Sequence, residues 1–279
     1  VRETGKAFMY MAAARHIGKV VVTMDGTIDV DTPPQISFNK NETFLLTGGC
    51  SGFGLRIARW LAEKGAGTLV LISRSGPKTE EEKNIIAKMK ADGVNVMVEM
   101  ADVTKRNEVF NVFKTIEEKC PPLKGIFHCA MVLDDASIPE MTHERFIKAY
   151  RPKAIGCWNL HEASKNCNLD YFVGFSSISS VYGNPGQVNY AAGNCFLDEM
   201  ARYRHSQGLP ATTINWGVLG ETGFVARTSH IKMLLAKQGW YTFSMREALF
   251  ILEKMLLQKP VQRLAINNDW KKIGEMYPN

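Results

Sequence analysis

Apolar residues along this chain fall into short runs that alternate with longer stretches at helical spacing. The runs at 44–47, 68–73, 94–100, 125–130, 171–176, 212–216 and 263–266 read as strands. Between them, 55–64, 80–92, 106–119, 144–166, 187–205 and 245–258 repeat apolar positions every three to four residues, as helices do. Most of the strands are apolar on consecutive positions rather than on alternate ones. That pattern, with a helix after each strand, predicts an α/β fold: a doubly wound parallel sheet covered on both faces, with right-handed crossovers. Upstream, Phe8, Met11, Ala12 and Ile17 suggest a short helix, followed by the strand-like KVVVTM. Residues 25–42 are polar and carry Pro33 and Pro34, so they read as a linker, and the main domain is expected to begin near Glu42.

One junction in this pattern carries chemistry. Phe44 to Leu46 is a buried strand, Thr47 follows, and glycines stand at 48, 49, 52 and 54. Leu55, Ala58, Leu61 and Ala62 then open a helix. A strand, a glycine turn and a helix N-terminus form a cradle for a pyrophosphate, because glycine lets backbone N–H groups approach it and the helix end favours its charge. In an NAD site an acid about 20 residues on binds the ribose 2′-hydroxyl. Here that place holds Arg74, beside Ser73. An arginine holds a 2′-phosphate by charge-assisted, paired bonds, which favours NADP(H) over NAD(H). The plainer alternative for Arg74 is a solvated charge at a strand end. Asp102, before Val103, sits at the rim where an adenine would lie. It is equally placed to cap the next helix, and the sequence leaves both open.

Composition narrows the class. The chain has 279 residues, a formal net charge of +6 and 45% hydrophobic residues, enough for one sizeable closed core. No run of about 18 apolar residues is present to span a membrane. The opening VRETGKAF lacks the features of a signal peptide and reads like the middle of a longer protein. The cysteines at 50, 120, 129, 157, 167 and 195 have no C-x-x-C spacing and no clustered His. A reduced, cytoplasmic chain without a metal is therefore expected. The positive charge has no basic block behind it, which argues against nucleic acid but leaves room for an acidic protein partner.

A second constellation lies in SSISSVYGNPGQVNYAAGNCFLDEMA. Ser177 closes a strand, Tyr190 comes thirteen residues later, and Asn194 lies one helical turn beyond Tyr190. Ketone reduction needs a proton for the developing alkoxide. A tyrosine supplies it if a cation lowers its pKa, and Ser177 can hold the carbonyl oxygen. Taken singly, these residues are equally an ordinary half-buried aromatic and turn-forming serines.

Together, TGGCSGFG, the Ser177–Tyr190 pair and the Asn194 spacing resemble short-chain dehydrogenases/reductases. They are most like the ketoreductase domains of polyketide and animal-type fatty acid synthases. Most of that superfamily has a lysine four residues after the tyrosine, where this chain has Asn194. Synthase ketoreductases exchange the two positions, and Lys153, in YRPKAIGCWNLHE, is where the lysine should be. The resemblance implies that Lys153 holds the nicotinamide ribose and lowers the Tyr190 pKa, and that Asn194 helps organise the proton relay. It implies cofactor contacts from Thr47, Gly48, Gly49, Ser51, Gly52, Phe53, Gly54, Ser73, Arg74, Asp102 and Val103. Cys129, Ala130, Met131, Lys153, Tyr190, Gly217 and Val218 complete that set, although Cys129 and Met131 depart from the usual small residues. LDYFVGFSS, INWGVLGETG and the ending MREALFILEKMLLQ to NNDW extend the likeness over about 42–275.

The resemblance also implies the surroundings. Residues 1–41 resemble the last helix and strand of an enoyl reductase plus a linker, and 42–279 the NADP-binding catalytic domain. The substrate would be a β-ketoacyl thioester on the phosphopantetheine of an acyl carrier protein. The adjoining enoyl reductase and a ketoreductase structural half-domain of the same synthase would be further partners. The triplet Leu133, Asp134 and Asp135 marks one entry side for the substrate, and the opposite class carries a tryptophan where this chain has Tyr182. Both point to the D-configured, usually 3R, hydroxy product. A lid is expected over 217–239, hinged at Gly220 and Gly223 with Met233, Leu234 and Leu235 as its apolar face. The competing readings are a non-catalytic scaffold of the same fold and a free-standing reductase of small carbonyl compounds.

Overall fold

The computed structural model describes residues 4–13, 20, 34–220, 233 and 235–276. The chain divides into two compact units, Val1–Gln35 and Ile36–Asn279. In the first, α1 spans Thr4–Ala12. The strand expected in KVVVTM lies outside the described residues, as does most of the expected lid, including Gly223 and Leu234.

The second unit is built on a seven-stranded sheet. Its strands are β1 (Thr43–Thr47), β2 (Thr68–Ser73), β3 (Asn95–Met100), β4 (Leu123–His128), β5 (Tyr171–Ser177), β6 (Thr212–Trp216) and β8 (Gln262–Ala265). The order across the sheet is β3-β2-β1-β4-β5-β6-β8 and every pairing is parallel. Alternate side chains feed two cores. Phe44, Leu46, Leu69, Leu71 and Phe127 pack under α2 (Gly52–Glu63), α3 (Glu80–Ala91) and α8 (Met245–Gln258). Leu45, Val70, Ile72 and Ile126 pack under α4 (Arg106–Lys119), α5 (His143–Ala163) and α7 (Val188–Ser206). This is the doubly wound parallel sheet expected from the mostly apolar strands. No helix among the described residues is long and apolar enough to cross a membrane.

Several boundaries move for physical reasons. Helix α2 begins at Gly52 rather than 55, so the glycine turn and the first helical turn overlap. Strand β4 runs two residues early at both ends, from just past Pro121 and Pro122 to His128, because the Ala130 N–H turns out of the ladder to Thr47 Oγ1. Ile36 and Phe38, expected in the linker, join the sheet unit. The Ile36 N–H donates to Glu253 Oε1 at 3.0 Å, and the Phe38 ring packs edge-on against Phe44 and Trp60. Five short elements have no counterpart in the sequence pattern: a 3-10 turn at Ile138–Glu140, α6 (Ser179–Tyr182), the antiparallel strands β7 (Trp240–Tyr241) and β9 (Asn267–Asn268), and α9 (Trp270–Met276).

Candidate active site

The strand order reverses between β1 and β4, and crevices at the carboxyl ends of strands open at such a point. The glycine turn lies on its β1 side. A Cβ on Gly49 would stand 2.8 Å from Leu46 O, and one on Gly54 would stand 2.3 Å from Gly48 O. A Cβ on Gly48 would press on the Ala130 backbone at 3.2 Å. Gly52 is different: its φ of +51° is left-handed, and a Cβ there would project into open space. Ser51 is the N-cap of α2 yet its side chain makes no cap bond, so the first N–H groups of the helix have no side-chain partner. Open space in front of unpartnered amides at a helix start fits the pyrophosphate of a dinucleotide.

The other expected cofactor residues surround this crevice. Arg74 is exposed at the end of β2 and has no ion-pair partner among the described residues. Ser73 Oγ accepts from the Gly76 N–H at 2.8 Å and so shapes the turn that carries Arg74. Asp102 Oδ1 accepts from the Thr104 N–H at 2.9 Å, a cap-type use, while the Asp102 N–H donates to Glu108 Oε2. Val103 is buried, and its carbonyl accepts from Asn159 Nδ2 on α5. The Cys129 N–H donates to Thr47 O, and burial pushes the Cys129 thiol well up, so it stays protonated. Met131 is exposed. Gly217 and Val218 leave the end of β6, tied by Gly217 N–H to Ala265 O and by the Phe243 N–H to Val218 O.

The residues expected to react stand on three elements. Ser177 ends β5, Tyr190 and Asn194 lie on α7, and Lys153 comes from α5. Lys153 is 1% exposed; its Nζ donates to Phe175 O at 2.7 Å and sits 5.3 Å from the centre of the Tyr190 ring. Burial brings the Lys153 pKa down to about 8, which leaves about nine-tenths of it charged at pH 7. Helix α7 comes close enough for this because its facing residue is Gly193, where a Cβ would stand 3.2 Å from Lys153 Cβ. Burial raises the Tyr190 pKa, and hydrogen bonds from Asn194 first and Ser177 second draw it back. The Lys153 ammonium group lies beside the ring and is bound to the Phe175 carbonyl. Asn194 Nδ2 donates to Tyr190 O at 2.9 Å, and Asn194 Oδ1 is buried without a partner.

Sequence reading misses a strut beneath these groups. His128, at the end of β4, is fully buried, and its Nε2 lies 3.2 Å from the Lys153 carbonyl. Its Nδ1 lies 2.7 Å from Thr47 Oγ1, which also accepts from the Ala130 N–H. A carbonyl only accepts, so the proton sits on Nε2 and Thr47 Oγ1 donates to Nδ1. Burial takes the His128 pKa down to about 3, so the ring is neutral. The glycine turn, β4 and the lysine helix are thereby joined at one ring. The available signal is a histidine inside the otherwise apolar GIFH.

The substrate-side triplet is a clasp. Asp134 pairs with Arg145 and Lys148 at the start of α5, both at 2.8 Å, and Lys148 first, then Arg145, holds its carboxyl below the usual range. Asp135 Oδ2 accepts from Gln187 Nε2, and Asn189 Nδ2 donates to Asp134 O. The loop after β4 is thus fixed both to α5 and to the segment entering α7. Leu133 is half-buried. Tyr182 is exposed on α6 and meets the Trp240 ring edge-on at 5.9 Å between centres.

Residues 42–221 match the family described as "KR domain". The chain is 38% identical over 264 residues to the highly reducing polyketide synthase cm3B of Cordyceps militaris, covering 93% of this chain and 10% of that protein. It is 33% identical over 257 residues to the squalestatin tetraketide synthase of a Phoma species, covering 91% and 10%. Among solved structures it is similar to A-type ketoreductases from a modular polyketide synthase, with 33% identity, a TM-score of 0.81, and coverage of 88% of this chain and 52% of that one. The chain therefore spans about a tenth of the length of these curated relatives.

Proposed function

This chain belongs to the KR domain family, the ketoreductase domains of polyketide synthases, and from that premise we propose that it reduces a β-ketoacyl thioester to the β-hydroxyacyl thioester with NADPH. The observation that carries the reading is the convergence of Lys153, Ser177, Tyr190 and Asn194 beside the glycine cradle. A scaffold without chemistry needs none of these groups, least of all a buried lysine. A nicotinamide dinucleotide supplies a hydride to the carbonyl carbon when bound. The chain's residues do the rest. The amides at Gly52–Gly54 hold the pyrophosphate, and Arg74, without an ion-pair partner among the described residues, takes the 2′-phosphate. Tyr190 gives its phenolic proton to the carbonyl oxygen, and Ser177 holds that oxygen as a second donor. Lys153 holds the ribose and places positive charge beside the phenolate that forms.

The substrate is proposed to arrive on the phosphopantetheine of an acyl carrier protein, an acidic partner that the +6 chain attracts chiefly through on-rate. Residues 1–41 are proposed as the end of a preceding enoyl reductase plus linker, and 42–279 as the catalytic domain, working beside that enoyl reductase and a structural half-domain in the cytoplasm. The triplet at 133–135 supports the D product, and its clasp gives it a means: it fixes the wall past which an acyl arm enters. The test is NADPH oxidation with a β-ketothioester beside the Tyr190→Phe protein. A fall in rate of about 10²–10⁴ with NADPH binding retained is expected. An unchanged rate overturns the mechanism.

A further inference from the structure

Below the proposed reacting groups lies a buried polar cluster that the reaction as described does not use. Asp198 stands on α7 two turns after Tyr190 and one after Asn194, hence on the same face. It is 5% exposed, unusual for a carboxylate. Its Oδ2 accepts from Ser180 Oγ at 2.7 Å and from Asn215 Nδ2 at 2.8 Å. Its Oδ1 is buried without a partner among the described residues. Ser180 lies in the turn that leaves Ser177, and its hydroxyl is also 2.8 Å from Ser177 O. Asn215, in the middle of the apolar strand β6, reaches Ser176 Oγ at 3.1 Å, and its own Oδ1 accepts from Gln262 Nε2.

The cluster has a counterpart across the helix interface. Lys153 is a buried cation with no carboxylate in ion-pair range among the described residues. The titratable groups facing it are His128 at the end of β4 and Cys129 just after it, Cys157 on its own helix, and Tyr190 and Asp198 on α7. Cys129 and Cys157 are held neutral by burial, His128 is neutral, and the Tyr190 phenol is raised. That leaves Asp198 to offset the charge. It lies just over a turn past Gly193, the residue against which Lys153 packs.

Resting on the ketoreductase reading above, we propose that Asp198 is a positioning residue of the reducing site: one carboxylate oxygen holds the turn at Ser177–Ser180, and its charge keeps Lys153 protonated from within the protein. Removing the charge disfavours the ammonium form of Lys153, whose pKa is already drawn down by burial.

The experiment separates tether from charge. Lysine Cε resonances of ¹³C-labelled protein are titrated, with Lys153 assigned through Lys153→Arg, so the readout needs neither cofactor nor turnover. Asp198→Asn keeps the shape and removes the charge; a downward shift of at least about half a pH unit in the Lys153 titration is expected, and with it a matching shift of the alkaline limb of the rate. Ser180→Ala keeps the charge and cuts the tether; kcat should fall by about 3- to 30-fold with the Lys153 titration unmoved. Asp198→Glu should leave that titration in place and serves if the Asn variant does not fold. A Lys153 titration unmoved in Asp198→Asn, lowered in Asp198→Glu, or a full kcat in Ser180→Ala overturns the proposal. Failure of the ketoreductase reading looks different: the unmodified protein would not reduce β-ketothioesters, while the Lys153 titration still reports on Asp198.

Discussion

Gly54→Ala puts the cradle to a quantitative test. The added Cβ would stand 2.3 Å from the Gly48 carbonyl oxygen, whereas a carbon–oxygen contact settles near about 3.3 Å. The start of α2 and the preceding turn must therefore separate by about 1 Å. Both contact partners are backbone, so no side chain can swing aside. Overpacking of this kind costs about 1–3 kcal/mol, a fall in Tm of a few degrees up to about ten for a unit of this size. The same displacement carries N–H groups that must reach a phosphate from about 2.9 Å out of hydrogen-bond range. Losing one such charge-assisted bond, at about 1.5–3 kcal/mol, raises the NADPH Kd by about 10- to 100-fold. Quenching of intrinsic tryptophan fluorescence on NADPH addition reads the Kd, and calorimetry the Tm. Two controls bracket the result. Gly67→Ala would meet Lys40 O at 1.8 Å at the opposite end of the sheet, so it should destabilise without changing the Kd. Gly52→Ala meets nothing but has a φ of +51°, so it costs only about 1 kcal/mol of strain while its methyl occupies the cradle, and it should weaken binding as much. If Gly54→Ala lowers Tm as Gly67→Ala does and binds NADPH normally, the phosphate does not sit there.

Other outcomes follow from the same geometry. Arg74→Ala should raise the NADPH KM by about 10-fold or more and leave the NADH KM nearly unchanged; equal use of the two cofactors by the unmodified protein would sink the 2′-phosphate assignment. His128 is depressed from 6.5 to about 3 on folding, so between those values the unfolded chain binds a proton that the native one refuses. Its contribution to stability is complete above about pH 6.5 and is lost as pH falls towards 3, by up to about 5 kcal/mol. Urea denaturation from pH 7 to 4 should show this slope, and His128→Leu should flatten it; an equal slope in the variant removes His128 as its source. Chiral chromatography of the reduced thioester should give predominantly the D product, and Asp134→Ala, which releases Arg145 and Lys148, should lower that excess; a predominantly L product from the unmodified chain would refute the entry-side reading.

How much of this was legible in the sequence depended on the kind of signal. Strands covered on both faces are buried at every position and rich in apolar and β-branched residues, so β1, β2 and β6 could be read to within a residue. The spacing of Ser177, Tyr190 and Asn194 left a plainer alternative open, and it was the resemblance to synthase ketoreductases that pointed to them together and to Lys153. Asp198 was not legible, because an acid in FLDEM beside the exposed Glu199 looks like one more solvated helix charge. Its burial shows only once β5 and β6 are laid against α7. Asn215 and His128 did leave a trace, each a polar residue inside an apolar strand, where an unpaired group would be costly. The bond from the Lys153 ammonium group to the Phe175 carbonyl was not legible, because nothing in a sequence says which backbone carbonyl a buried cation will meet.

Because the cation stands on α5 and the proton donor on α7, their alignment is not set by the pitch of one helix. It depends on the seating of two helices that meet where Gly193 presents bare backbone to Lys153. Sliding one helix along the other would strain the Lys153 links to the Phe175 carbonyl and the His128 ring and carry the lysine off the tyrosine. Warming should therefore dull the activity some degrees before the fold melts, and a ligand that bridges both helices would act as a mechanical brace as well as a reactant.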